Sequence, residues 1–178
     1  MRFQIFKTIT FIVLVALLSS CFDDNSKDLE AWKTKNDKYF SNMKDSASFE
    51  LQTIPNDYGG GNYYTKIIQQ GNFEQTPDLL DTVVVNYSGM NVDGVVFQNT
   101  YSGTNPIDNP TAKPVRFIAG NLIAGWVFNL IEMTPGEVRT IVLPHYLAYG
   151  ANGYGSIKGY STLRFTIHLV SIKPFIEK

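Results

Sequence analysis

From Tyr63 onward the apolar residues fall at every second position, the period of a strand with one buried face. In the run Thr82 to Ser88, Val83, Val85 and Tyr87 share one side. Asp93-Gly94 marks a tight turn, because this pair tolerates positive φ, and Val95 and Phe97 continue the inward face on the next strand. Val115 to Ile118 is a short extended piece, and Gly120 opens a turn. The period then changes. Leu122, Ile123, Trp126, Val127 and Leu130 make one apolar face at helical spacing. Pro135-Gly136 turns the chain, Val138 to Leu143 reads as a strand that stops at Pro144, and Leu163, Phe165, Ile167 and Leu169 alternate with Arg164, Thr166 and His168 in a final strand. One short helix among about five strands predicts an α+β domain, an antiparallel sheet curling around the helix.

Ahead of that domain the pattern is different. Ser26 to Ser48 is polar, and its few apolar residues, Leu29/Trp32 and Tyr39/Phe40/Met43, fall at spacings that fit a short amphipathic helix. Such a helix packs on the domain or a partner, or is only a spacer. Thr53 to Asn62, with Pro55, Asn56, Asp57 and Gly59-Gly60-Gly61, reads as a break. The expected division is therefore a tether over 21–62 and a domain over 63–178. Two loops stand out inside the domain. Tyr101 to Lys113 is long and polar with two prolines, and His145 to Tyr160 is glycine-rich with four tyrosines.

The first 20 residues carry a targeting pattern. Arg2 and Lys7 precede an apolar run, Ile9 to Leu18, interrupted only by Thr10. A bilayer-spanning helix needs roughly 20 apolar residues, so the run fits a secretory signal better than a membrane span. It ends in Leu18-Ser19-Ser20-Cys21, which resembles a bacterial lipobox, and Cys21 is the expected lipidation site. A singly acylated protein binds membranes only marginally, at about 10⁴ M⁻¹, whereas two or more chains anchor it stably. Phe22-Asp23-Asp24-Asn25 follows, and reads equally as an export signal of surface lipoproteins or as the solvated start of the tether.

Composition narrows the chemistry. The chain has 178 residues, 1 Cys, 2 His and a net charge of -1. One cysteine excludes a disulfide framework within the chain. So few Cys and His argue against a zinc or di-metal site, and the near-neutral charge gives no nucleic-acid footprint. Neither His145 nor His168 lies near a nucleophile motif. Aromatic residues make up 13 %, mostly after Tyr58, an excess that serves an all-β core or a ligand pocket equally well.

Five segments, in order, resemble the FKBP family of peptidyl-prolyl cis-trans isomerases. They are Val84-Val85-Asn86-Tyr87-Ser88-Gly89 with Asp93-Gly94 and Phe97; Phe117-Ile118-Ala119-Gly120 with Leu122-Ile123-Ala124-Gly125-Trp126; Met133-Thr134-Pro135-Gly136-Glu137; Pro144 to Gly150; and Leu163-Arg164-Phe165. The match covers about Leu79 to Ile172. It implies a half-barrel sheet wrapped around one short helix, with a shallow apolar pocket between them. Trp126 would form the floor, and Tyr87, Phe97, Phe117 and Phe165 the walls. Leu122 and Ile123 would line the rim, the Ile123 N–H would hold a substrate carbonyl, and Tyr149 would offer its hydroxyl from above. Without the resemblance, Trp126 reads as ordinary helix-face core. Gln98 stands where the family usually has Asp, Val115 where an aromatic residue is common, and Tyr101 to Lys113 is longer than usual.

The resemblance implies a cofactor-free prolyl isomerase acting on proline-containing proteins, anchored by lipid to a membrane of the cell envelope. The Gram-negative outer membrane is the expected site, with the domain in the periplasm or at the surface. Gln98, Val115 and the long loop leave a second reading, a non-catalytic chaperone or binding module of an envelope complex.

Overall fold

The computed structural model describes residues 26–72 and 75–176. The targeting segment and Cys21 lie outside the described residues. The chain forms two compact units, Met1–Lys35 and Asn36–Lys178. A helix, α1, runs over 26–42, consistent with the apolar spacing of that stretch. In the first unit the Lys35 ammonium lies 5.9 Å from the centre of the Trp32 ring, a cation–π contact between helical neighbours.

The second unit is a seven-stranded antiparallel sheet with one short helix. Its strands are β1 (Glu50–Ile54), β2 (Gly61–Gln69), β3 (Thr82–Asn91), β4 (Val96–Asn99), β5 (Val115–Ile118), β6 (Val138–Leu143) and β7 (Leu163–Lys173), and the helix is α2 (Ala124–Leu130). The spatial order is β1-β2-β6-β7-β3-β4, with β5 pairing on β3 beside β4. The alternation read from the sequence holds along β3 and β7, where Val83, Val85, Tyr87, Leu163, Phe165, Ile167 and Leu169 are all buried. With Trp126, Leu130, Ile141 and Leu143 they make one core. A fully buried side chain of this kind contributes about 1.5–3 kcal/mol.

Two sequence expectations are corrected. The stretch ahead of Tyr63 joins the sheet through β1. Thr53 to Asn62 is not a break: its ends belong to β1 and β2, paired from Glu50↔Thr65 through Ile54↔Gly61, and only residues 55–60 connect them. Pro55 O accepts from Tyr58 N and Gly60 N, and Gly59, Gly60 and Gly61 all have positive φ, so the glycine run reverses the chain rather than releasing it. Val95 does not face inward either. It is 59 % exposed, in a turn where Asn91 Oδ1 accepts from both Asp93 N and Val95 N. A register shift between Gly89 and Met90 then sets Val96 opposite Met90.

The sheet is covered on both faces at its centre, since all six residues of β6 are buried. Ile141 and Leu143 belong to the core with α2, while Val138 and Val142, also buried, point the other way. On that outer face Phe40 meets Tyr64 edge-on at 5.1 Å, and the buried Asn36 accepts from Thr162 N at 2.6 Å through Oδ1. Farther along, Thr104 to Ile107 of the long loop faces Ile68, Val138, Thr140 and Thr166 across a cleft of ≈ 350 Å³.

Candidate functional site

The inner face carries the candidate site. Trp126 projects from α2 and is 4 % exposed. Three rings stand edge-on to its indole. Tyr87 of β3 lies at 5.0 Å and 90°, Phe165 of β7 at 5.4 Å and 87°, and Phe117 of β5 at 6.3 Å and 87°. Edge-to-face packing sets the positive rim of one ring against the negative face of another. It therefore fixes the indole plane. Gly89 is what allows Phe165 to lie across the sheet. A Cβ there would come within 2.7 Å of both the Phe165 and Phe97 rings.

Above the indole is a cavity of ≈ 260 Å³. Its apolar lining is Tyr87, Phe117, Trp126, Phe165, Leu122 and Ile123, and Gln98, Asn121 and Tyr149 add polar groups. Eight of the ten pocket residues expected from the sequence thus converge on one space. Phe97 is not on its wall. It packs edge-on against Phe165 at 5.7 Å and 83° and so backs the wall from behind. Val115 is absent from the lining as well, because it faces a separate open recess with Tyr101, Thr111 and Lys113. Asn121 was not anticipated. Its signal was available, as the single polar side chain between Phe117 and Trp126.

The polar groups at the mouth are unspent. Ile123 O accepts from Trp126 N and Val127 N, capping α2, while its own N–H meets no acceptor among the described residues. The buried Trp126 Nε1 also lacks a partner. A buried donor without an acceptor is uncommon and costly, and a bound carbonyl would relieve it. The Tyr87 hydroxyl is pushed up to about 12, first by burial and then by the nearby Tyr149. Burial, with Tyr154 beside it, raises Tyr149 as well. Both hydroxyls therefore stay protonated and able to donate at physiological pH. Tyr149 is buttressed by Tyr154, stacked at 5.5 Å and 15°.

Among the described residues no group of three His, Cys, Asp or Glu could hold a metal ion, and no helix is long and apolar enough to cross a membrane. What the site offers is an aromatic hollow with directed donors and no acid, base or nucleophile at its centre.

Residues 74–170, over half of the chain, match the FKBP-type peptidyl-prolyl cis-trans isomerase model, and the chain belongs to this family. Among individual relatives, the chain is 35 % identical over 109 residues to the isomerase FkpA of Escherichia coli K12, covering 61 % of this chain and 37 % of that protein. It is 34 % identical over 149 residues to the outer membrane protein MIP of Legionella longbeachae, covering 83 % and 57 %. The crystal structure of E. coli FkpA superposes with a TM-score of 0.70 at 26 % identity, over 94 % of this chain and 71 % of that one. The chain thus spans between about a third and three fifths of the length of these curated relatives.

Proposed function

We propose that the chain catalyses cis-trans isomerisation of X-Pro bonds in envelope or secreted proteins and so assists their folding. The observation that carries this reading is the set of rings around Trp126, closing one cavity with the unpaired Ile123 N–H at its mouth.

The reaction breaks no covalent bond. Its barrier, ~18–20 kcal/mol, is the loss of amide resonance as the C–N bond twists, and uncatalysed exchange takes roughly tens to hundreds of seconds. Lowering the barrier by ~5.5 kcal/mol gives about 10⁴-fold acceleration. The planar amide is charge-separated and favoured by water, whereas the twisted one is less polar. An apolar cavity that takes the proline ring onto the Trp126 indole and strips water from the amide therefore favours the twisted state. The Ile123 N–H would take the carbonyl of the substrate, and the Tyr149 hydroxyl would hold the chain in register. Tyr87, Phe117 and Phe165 shape the walls, Phe97 braces Phe165, Leu122 closes the rim, and Gln98 and Asn121 supply polar contacts.

The test is NMR-exchange or protease-coupled measurement of cis-trans interconversion in a proline tetrapeptide with the purified chain. Acceleration in the wild type that is lost in Trp126→Ala supports the reading. No acceleration over background overturns it. A second reading, a non-catalytic chaperone or binding module, is favoured by Gln98, which lines the cavity where the family usually has Asp. It requires that Trp126→Ala/Tyr149→Phe still complement a deletion strain.

We also propose that residues 1–20 are a signal peptide, that Cys21 is lipidated, and that the domain is held at an envelope membrane. Support comes from the Leu18-Ser19-Ser20-Cys21 sequence and from the outer-membrane designation of the Legionella relative. Incorporation of a labelled fatty acid, abolished by Cys21→Ala, is the expected result.

A further inference from the structure

Beyond the cavity, the same end of the domain exposes tyrosines that the isomerisation chemistry does not use. Tyr58 is 70 % exposed, Tyr146 53 % and Tyr154 72 %. Tyr146 and Tyr154 sit on one loop and Tyr58 on the β1–β2 hairpin, and contacts join the two segments. Tyr154 stacks on Tyr149 of the cavity wall. The next link is backbone, Tyr160 N donating to Gly150 O at 3.0 Å. His145 touches both Tyr160 and Tyr146, at 5.0 and 5.5 Å. The Tyr146 ring lies against Gly61, where a Cβ would come within 2.9 Å. The hairpin that ends at Gly61 places Tyr58 edge-on to Phe128 of α2 at 6.0 Å.

The segments that carry this band are firmly shaped. Tyr154 and Ile157 exchange backbone hydrogen bonds at 3.0 and 2.9 Å, and the Tyr58 turn is closed by three backbone bonds onto Pro55 and Asn56. Rings held outward on fixed turns lose little entropy on contact. From His145 to Tyr160 the chain has no carboxylate and one lysine, Lys158. A surface of this kind selects weakly among charged sequences. Tyr presents an apolar body and a polar tip, which suits contact with varied side chains and exposed backbone.

We propose that Tyr154, Tyr146 and Tyr58 form an aromatic track leading out of the cavity, which binds the unfolded polypeptide flanking the target proline. The partner is an extended, unfolded protein chain rather than a short peptide or a folded surface. The inference rests on the isomerase reading for its orientation, since the cavity is the end at which the proline sits.

The experiment compares wild type with Tyr58→Ser/Tyr146→Ser, two residues away from the cavity wall. Three quantities are read. They are kcat/KM for a proline tetrapeptide, the rate of a proline-limited refolding reaction of a reduced, carboxymethylated protein, and the Kd of that unfolded chain by fluorescence anisotropy. The expected result is about five-fold weaker binding and refolding activity on the long chain, the scale of one or two lost aromatic contacts, with tetrapeptide turnover within about two-fold. Unchanged Kd for the unfolded chain overturns the track. So does a parallel loss on both substrates, which marks damage to the fold. If the double variant melts early, Tyr58→Ser alone, which leaves the Tyr146 contact with Gly61 in place, is read by the same criteria. A wild type that binds the unfolded chain but isomerises neither substrate overturns the isomerase reading while the track is still decided by Kd.

Discussion

The two faces of the sheet are built from alternate residues of the same strands, yet they are finished differently. The inner face of β3 and β7 carries Tyr87 and Phe165, which meet an indole and leave a hollow with unpaired donors beside it. The outer face of β6 carries Val138, Thr140 and Val142, all buried. There the Thr140 and Thr166 hydroxyls pair at 3.1 Å, and Phe40 packs edge-on against Tyr64. Close packing is the default state of a protein interior. A gap lined by five aromatic rings is therefore informative: stability would be served by filling it. The outer face leaves a cleft with no aromatic ring in its lining, whereas the inner hollow is held open by rings that brace each other.

The largest effect should come from the inner face. Trp126→Ala removes the ring that organises Tyr87, Phe117 and Phe165. It deletes about 2–3 kcal/mol of apolar contact with a bound proline, which corresponds to roughly 30- to 160-fold in kcat/KM. The same substitution costs about 3–5 kcal/mol of stability, so Trp126→Phe serves as control. It should fold nearly normally in thermal melts and still lose most turnover, because a smaller ring cannot span the floor. Full activity in either variant would break the contrast between the faces.

Val142→Ala tests the other side. The residue is fully buried on the outer face, where it lies opposite Tyr64 and Arg164. A loss of about 1–2 kcal/mol in chemical denaturation is expected, with kcat/KM on a tetrapeptide unchanged. A fall in turnover exceeding the fall in folded fraction would show that the two faces are not separable.

Much of this division is legible in the sequence. Alternation located β3, β6 and β7, and the shift to helical spacing located α2, because each element buries a single stripe. Convergence of Tyr87, Phe117, Trp126 and Phe165 came only through resemblance, since periodicity assigns a face and not a partner across the domain. The hairpin of β1 and β2 was missed for a physical reason. Its turn is three consecutive glycines after a proline, a composition shared with a flexible linker, and only pairing with β6 shows that the chain returns. The covering of the outer face was invisible as well. Asn36 acts through its side-chain amide, and Thr104 to Ile107 line the outer cleft from a loop that carries no periodic pattern.

Tyr149→Phe gives a smaller, inner-face effect. The hydroxyl is kept protonated by burial and by Tyr154, so it is a neutral donor throughout the working range. Losing one such hydrogen bond in the transition state costs about 1 kcal/mol, or roughly five-fold in kcat/KM. The raised Tyr87 and Tyr149 hydroxyls also predict a turnover profile flat from about pH 6 to pH 9, where neither ionises. A step in that interval, abolished by Tyr149→Phe, would contradict the assignment.

The smallest effect belongs to the outer face and is read by pH. His168 lies on β7 opposite Asn86 and Val138. Burial lowers its pKa, opposed in part by a hydrogen bond to the Pro106 backbone and by the Asp108 carboxylate, both on the long loop. Its Nδ1 is buried without a partner, so the second proton would arrive where nothing accepts a hydrogen bond from it. With the folded pKa below the unfolded value of about 6.5, the unfolded chain binds more protons between the two. Stability from this group is therefore complete above about pH 6.5 and declines as pH falls through the folded pKa. Melting temperature should drop between pH 7.5 and pH 5, and His168→Gln should flatten part of that drop while leaving tetrapeptide turnover at pH 7.5 unchanged. An identical pH profile in the variant would mean that acid acts elsewhere. A profile that moved turnover before stability would tie the outer loop to the inner cavity and dissolve the distinction between the faces.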